Sequence, residues 1–328
     1  MNTEELLQTA ANVVDNAKQL KEAMTWETCG NHCAIMSAIL AEASGVAADV
    51  KKYKECRKLW KKTKSFLSGL RGNADPMVVS KLMCQENPEL YLEKMDSLCD
   101  RLKDYKVWSS SPYSVLALMT LTDHSESVDL SDLINRYDSL YRILHAKHPV
   151  MVSNRDRGVI AMLAVNGVNA EKANEIVESN YRACKPLAGN SDAVYSLAEI
   201  LSLSRWNSDT NADHMENMME LMKLSARSLD KVEGLTFFGA LTLIEDYLPE
   251  EMVLAIREVD DYLGEQKMFG GIDVDKKTRL LYAIAVVLTA YCRGGGQNPA
   301  INETMIRALL EQLILALIEA AQAAAAAT

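Results

Sequence analysis

Two kinds of hydrophobic pattern alternate along the chain. In the first, apolar residues crowd around one small residue on nearly every side. It reads Ala34-Ile35-Met36-Ser37, Met77-Val78-Val79-Ser80, Ser114-Val115-Leu116-Ala117 and Gly158-Val159-Ile160-Ala161. It continues as Ala193-Val194-Tyr195-Ser196, Thr236-Phe237-Phe238-Gly239 and Leu280-Leu281-Tyr282-Ala283. A helix that is apolar all round is buried between neighbours, and a small residue at the tightest crossing lets two backbones approach. In the second pattern, apolar residues occupy one face at helical spacing, as at Leu133, Tyr137, Leu140, Tyr141 and Leu144, with charges on the other. These segments carry start signals: Asn87-Pro88-Glu89, Asp129 or Ser131, Asn169, Asn211, Pro249-Glu250-Glu251 and Asn302-Glu303.

The small residue recurs about every 41 residues, inside the range of roughly 34 to 47 residues typical of helical-hairpin arrays. The expected fold is therefore all-α, a single domain over residues 1–328. A leading helix in residues 1–24 precedes about seven stacked hairpins of a HEAT- or TPR-like solenoid or α/α superhelix in residues 25–292. Residues 293–328 form a C-terminal helix with an Ala-rich tail. Hairpins of this kind bury their apolar faces only by stacking. The spacing leaves open whether the stack is an open superhelix or a closed ring.

Composition narrows the class. Hydrophobic residues make up 48% and charged residues 24% of the 328, the balance of a globular chain rather than a disordered one. The start, Asn2-Thr3-Glu4-Glu5, is polar and acidic, so no secretory leader is expected. Seven cysteines without a regular framework fit reduced thiols in a cytoplasmic protein. The last helix is apolar around most of its circumference, with Leu309, Leu310, Leu313, Ile314, Leu315, Leu317 and Ile318. Arg307, Glu311 and Glu319 interrupt it, so it is no membrane span. A terminal helix without a polar face points to cover by another part of the chain or by a second subunit, and a homodimer through this end is one expectation.

The clearest chemical departure lies between Lys51 and Lys64, within a helix expected from Val50 to Gly69. Eight basic residues face a single acid, Glu55. This local charge of +7 leaves −17 on the rest of a chain whose formal charge is −10. Tyr53, Cys56, Leu59, Trp60 and Thr63 form the inward stripe. Lys51, Lys54, Lys58, Lys61 and Lys62 are the candidate partner-binding residues, as a docking strip for an acidic partner, RNA or an anionic membrane face. Against this stands a solvated face balanced by acidic neighbours. The net charge disfavours general nucleic-acid binding, and no aromatic platform for bases accompanies the strip.

Cys29, His32 and Cys33 share a helical face at i, i+3 and i+4, a spacing at which two thiolates and an imidazole can meet one zinc ion. A complete site needs a fourth group, and none is near in sequence, so no cofactor is expected beyond this candidate zinc. His145 and His148 are a second pair, at a helix end. Asp123-His124 and Asp273-Val274-Asp275 are acid-rich turns, with Asp275 placed to cap the next helix. Arg155-Asp156-Arg157 opens an apolar helix and fits a phosphate clamp or, more simply, an Arg-Asp cap. Gly294-Gly295-Gly296 lacks the lysine and hydroxyl of a phosphate loop. No nucleophile motif is present, and whether the chain is an enzyme stays undecided.

The all-helical chain, the Arg157-Gly158-Val159-Ile160-Ala161 segment and the Ala-rich C-terminus resemble an uncharacterised family of Gram-positive bacteria catalogued as a domain of unknown function. The resemblance implies a bacterial cytoplasmic protein and assigns no catalytic residue. The leading functional expectation is a scaffold that binds a protein partner. The alternatives are an enzyme or small-ligand binder with its site inside a closed α/α ring, and nucleic-acid or anionic-surface binding through residues 51–64.

Overall fold

The computed structural model describes residues 2–24, 30–63, 67, 70, 72, 74–105, 111–126, 128–225, 229, 231–244, 248–270, 274–293 and 303–326. Among these there are fifteen α-helices and no strand. The leading helix is α1 (Thr3–Lys21). Seven pairs follow: α2 (Gly30–Ala43) with α3 (Val50–Lys62), α4 (Asp75–Cys84) with α5 (Pro88–Leu102), and α6 (Pro112–His124) with α7 (Leu130–Lys147). Next come α8 (Arg157–Val165) with α9 (Ala170–Cys184), α10 (Ser191–Leu201) with α11 (Ser208–Leu224), and α12 (Lys231–Thr242) with α13 (Pro249–Gly264). The last pair is α14 (Lys276–Arg293) and α15 (Glu303–Ala326).

Every small residue of the first pattern lies on an even-numbered helix, and these helices form the inner layer. In α2 every residue from His32 to Ala43 is buried, and in α14 every residue from Leu280 to Cys292. The reason for small side chains is visible where they meet. Ser80 Oγ donates to Ser37 Oγ at 2.6 Å, and a Cβ on Gly239 would lie 2.5 Å from Leu197 Cδ1. The odd-numbered helices from α3 to α13 bury one stripe each, as α7 does through Leu133, Ile134, Tyr137, Leu140 and Leu144.

The start signals hold at Asn87, Asp129 and Asn169, each of which accepts from a backbone N–H of the first turn. One is corrected. Asn207 caps α11, accepting from Thr210 N at 2.9 Å, whereas Asn211 lies one turn inside and donates to Asn180 Oδ1 at 3.0 Å.

The inner helices make a circuit. Helix α2 packs on α4, α6 on α8, α8 on α10, α10 on α12, α12 on α14, and α14 returns to α2. Between α4 and α6 the link is through side chains, Lys81 reaching Asp123 at 2.6 Å. In the outer layer α1 packs against α13, so the two ends of the array meet, as they would not in an open superhelix.

Helix α15 touches α2, α6, α8, α12 and α14 together, and a helix with those neighbours runs through the middle of the circuit. Its apolar circumference suits that place. Met305, Ile306, Leu309, Leu310, Leu313, Ile314, Leu315 and Ile318 are all buried within the chain, filling space that close packing does not leave empty. The surface that suggested a second subunit is therefore covered by the protein's own inner helices.

Candidate functional site

The basic helix α3 is built to hold its lysines outward. Asp49 caps it, accepting from Lys52 N at 2.9 Å. Tyr53, Cys56 and Trp60 are its buried stripe, and Trp60 Nε1 donates to Asp75 Oδ1 at 2.8 Å, fixing the helix to the start of α4. Burial pushes the Cys56 thiol up to about 11, with a smaller opposing effect from Lys52. The helix ends at Lys62, short of the expected Gly69, and Lys64 lies outside the described residues.

Lys51, Lys54, Lys58, Lys61 and Lys62 are all exposed. Lys51 meets Glu55 at 4.0 Å, with 86% of its side chain open to solvent, a geometry that contributes little. Among the described residues no ion pair engages Lys54, Lys58, Lys61 or Lys62. Lys52 is spent on the Gln85 carbonyl at 2.7 Å. An open depression of about 620 Å³, lined by Gln19, Val46, Asp49, Lys51, Lys52 and Met83, lies at the N-terminal end of the strip.

Of the candidate zinc ligands, the structure describes His32 and Cys33. Cys29 lies outside the described residues. His32 is buried on α2, its Nδ1 2.7 Å from the Tyr282 hydroxyl, and Cys33 is buried beside it. Among the described residues no three His, Cys, Asp or Glu side chains converge as a metal site. His145 Nδ1 lies 3.1 Å from the Val152 carbonyl, whereas His148 Nε2 pairs with Glu178 Oε1, so the two histidines serve different contacts. Asp275 caps α14 through Thr278 N at 2.8 Å, and Asp273 lies outside the described residues, as do Gly294 to Gly296. The six described cysteines are thiols rather than disulfides.

Two buried acid clusters beside α15 escaped the reading of the sequence. In one, Lys81 of α4 donates to Asp123 of α6 at 2.6 Å and to Glu311 of α15 at 3.0 Å, and the Tyr91 hydroxyl donates to Asp123 at 2.9 Å. Burial opposes the charge on Lys81, but the two carboxylates outweigh it and hold its pKa above the usual lysine range. In the other, Asp156 at the start of α8 lies against Glu199 of α10. A signal for both was present. Ser37 and Ser80 are 43 residues apart, Lys81 and Asp123 42, and Asp156 and its partner Ser196 40. Polar residues one period apart on inner helices are neighbours.

These features define an all-α protein whose hairpins close on themselves around their own last helix, with a basic outer strip and sealed acid clusters. Among the described residues no helix is long and apolar enough to cross a membrane. The chain belongs to the family described as Protein of unknown function (DUF4003), whose model matches residues 16–323. No curated protein and no solved structure matches it.

Proposed function

We propose that this chain is a cytoplasmic helical-repeat binding protein that docks an acidic segment of a partner protein on the outer face of α3. The observation that carries the reading is the row Lys51, Lys54, Lys58, Lys61 and Lys62, exposed on a helix whose other face is anchored by Tyr53, Cys56 and Trp60. A preformed row of cations favours a complementary anionic segment and speeds its encounter. Two further observations favour a protein over nucleic acid. The aromatic side chains of α3 are buried and offer no stacking surface to bases, and the rest of the chain carries −17, which repels a long polyanion. An axial enzyme site has less support, because α15 occupies the middle of the circuit.

The test is a fluorescence-anisotropy titration with a labelled oligoglutamate peptide, run beside a single-stranded oligonucleotide of equal charge. Binding of the peptide that weakens with salt and is lost in the Lys54→Glu, Lys58→Glu, Lys61→Glu triple variant is the expected result. If the triple variant binds the peptide as wild type does, or neither binds it, the reading fails. Tighter binding of the oligonucleotide would transfer the strip to nucleic-acid recognition.

A further inference from the structure

Three consecutive residues at the start of α8 reach three different parts of the molecule. The Arg155 carbonyl accepts from Gln312 Nε2 of α15 at 2.7 Å, and its guanidinium lies 3.9 Å from Glu319. Arg157 turns the other way, donating to Asn154 Oδ1 at 2.8 Å and lying 4.6 Å over the Tyr141 ring of α7. Asp156, between them, points at neither guanidinium. Its carboxylate accepts from Ser153 N at 2.6 Å, from Ser153 Oγ at 3.2 Å and from Ser196 Oγ of α10 at 3.4 Å. Its remaining contact is the carboxyl of Glu199.

Glu199 is 0% exposed and Asp156 3%. Among the described residues no hydroxyl, amide or cation donates to either oxygen of Glu199. Two ionised carboxylates in contact, shielded from water and without a cation, repel each other strongly, so one of them keeps a proton. Asp156 has three donors and is the better anion. Glu199 has none and is the acid, its O–H donating to Asp156.

We propose that Asp156 and Glu199 hold one proton between them, and that this proton is a pH-operated latch joining the fourth and fifth hairpins and, through Arg155, the central helix. Among the described residues the buried Tyr195 hydroxyl has no hydrogen-bond partner, and its charge environment is set by Glu199, Glu178 and Asp156. The His148 ring lies 4.9 Å from the Tyr195 ring, and half-buried His148 pairs with half-buried Glu178 of α9 at the surface. The other titratable and charged groups around the pair are Arg155 and Arg157, both turned away from it, and Tyr113 of α6 and Glu319 of α15. The last two bind each other at 2.8 Å.

The sign follows from the direction of the shift. Burial, and then the charge of Asp156, hold Glu199 well above the ordinary carboxyl value of 4.5; burial raises Asp156 as well. A pKa raised on folding contributes stability that is complete below the unfolded value and lost as pH rises through the folded one. The latch is therefore closed in acid and opens towards alkaline pH.

Infrared difference spectroscopy of the full chain tests this directly. A protonated-carboxyl C=O stretch is expected at neutral pH, lost on raising the pH and absent in Glu199→Gln. In thermal melts the wild-type Tm falls as pH rises, while Glu199→Gln, whose amide keeps the hydrogen bond to Asp156, shows a flattened profile. Absence of the band from wild-type protein at neutral pH overturns the proposal, and this needs no variant to fold. So does a Glu199→Gln profile with the wild-type slope.

Discussion

The two buried acid clusters beside α15 meet the same electrostatic demand in different ways. Asp123 and Glu311 approach each other through Lys81, whose side chain is only 10% exposed. Among the described residues no cation contacts Asp156 or Glu199, Arg157 being turned to Asn154 and Tyr141 and Arg155 to α15. One pair is bridged by a lysine, the other by a proton. A buried charge has to be matched locally, since neither water nor distant counter-ions reach it. Which agent does the matching decides how the region answers to mutation and to pH.

The largest expected effect is on the lysine-held cluster. Replacing Lys81 by Met removes the one cation that contacts both acids, and such a break costs about 3–5 kcal/mol, read as a lower midpoint in urea unfolding. Adding Glu311→Gln removes one of the stranded acids, so the double variant is expected to be more stable than Lys81→Met alone. If Lys81→Met unfolds at the wild-type midpoint, the contrast between the clusters is lost.

The proton-held cluster is expected to respond less at neutral pH. Glu199→Gln exchanges one neutral donor for another, a change of about 1 kcal/mol or less. It acts instead on the pH dependence. Lys81, whose pKa the two carboxylates raise against the effect of burial, stays charged until the pH passes the usual lysine value, so its contribution is lost only there. Lys81→Met is thus expected to lower the whole stability curve, whereas Glu199→Gln removes the fall towards alkaline pH. Urea unfolding at a series of pH values separates the two, and matching curves for the two variants would erase the distinction.

The smallest effect belongs to the exposed charges. The triple reversal on α3 is expected to change stability by no more than about 0.5 kcal/mol, because water already solvates those lysines. A large loss in urea unfolding would mean that the strip serves the fold rather than a partner.

Much of this was legible beforehand. Ser37, Ser80, Ala117, Ala161, Ser196, Gly239 and Ala283 mark the inner helices because close crossing demands small side chains whatever their partners are. Asn87, Asp129 and Asn169 mark helix starts because a cap acts within a single turn. Asn211 misled because the true cap, Asn207, carries the same amide one turn earlier. The lysine strip was readable because an amphipathic helix shows in its own sequence which side faces water.

What lay beyond reach is long-range. The sequence by itself determined that this protein is all-α, built from alternating apolar and half-apolar helices, with one basic outer face and a last helix that needed covering. These follow from local propensity and from periodicity, which act over a few turns. Only the tertiary structure decided that α14 returns to α2, that α15 is covered by the chain itself, and that Lys81 serves both Asp123 and Glu311 while Asp156 is left to Glu199. Closure depends on small rotations summed over seven hairpins. The state of a buried acid depends on whatever stands within a few ångströms of it, and helices distant in the chain bring that neighbour.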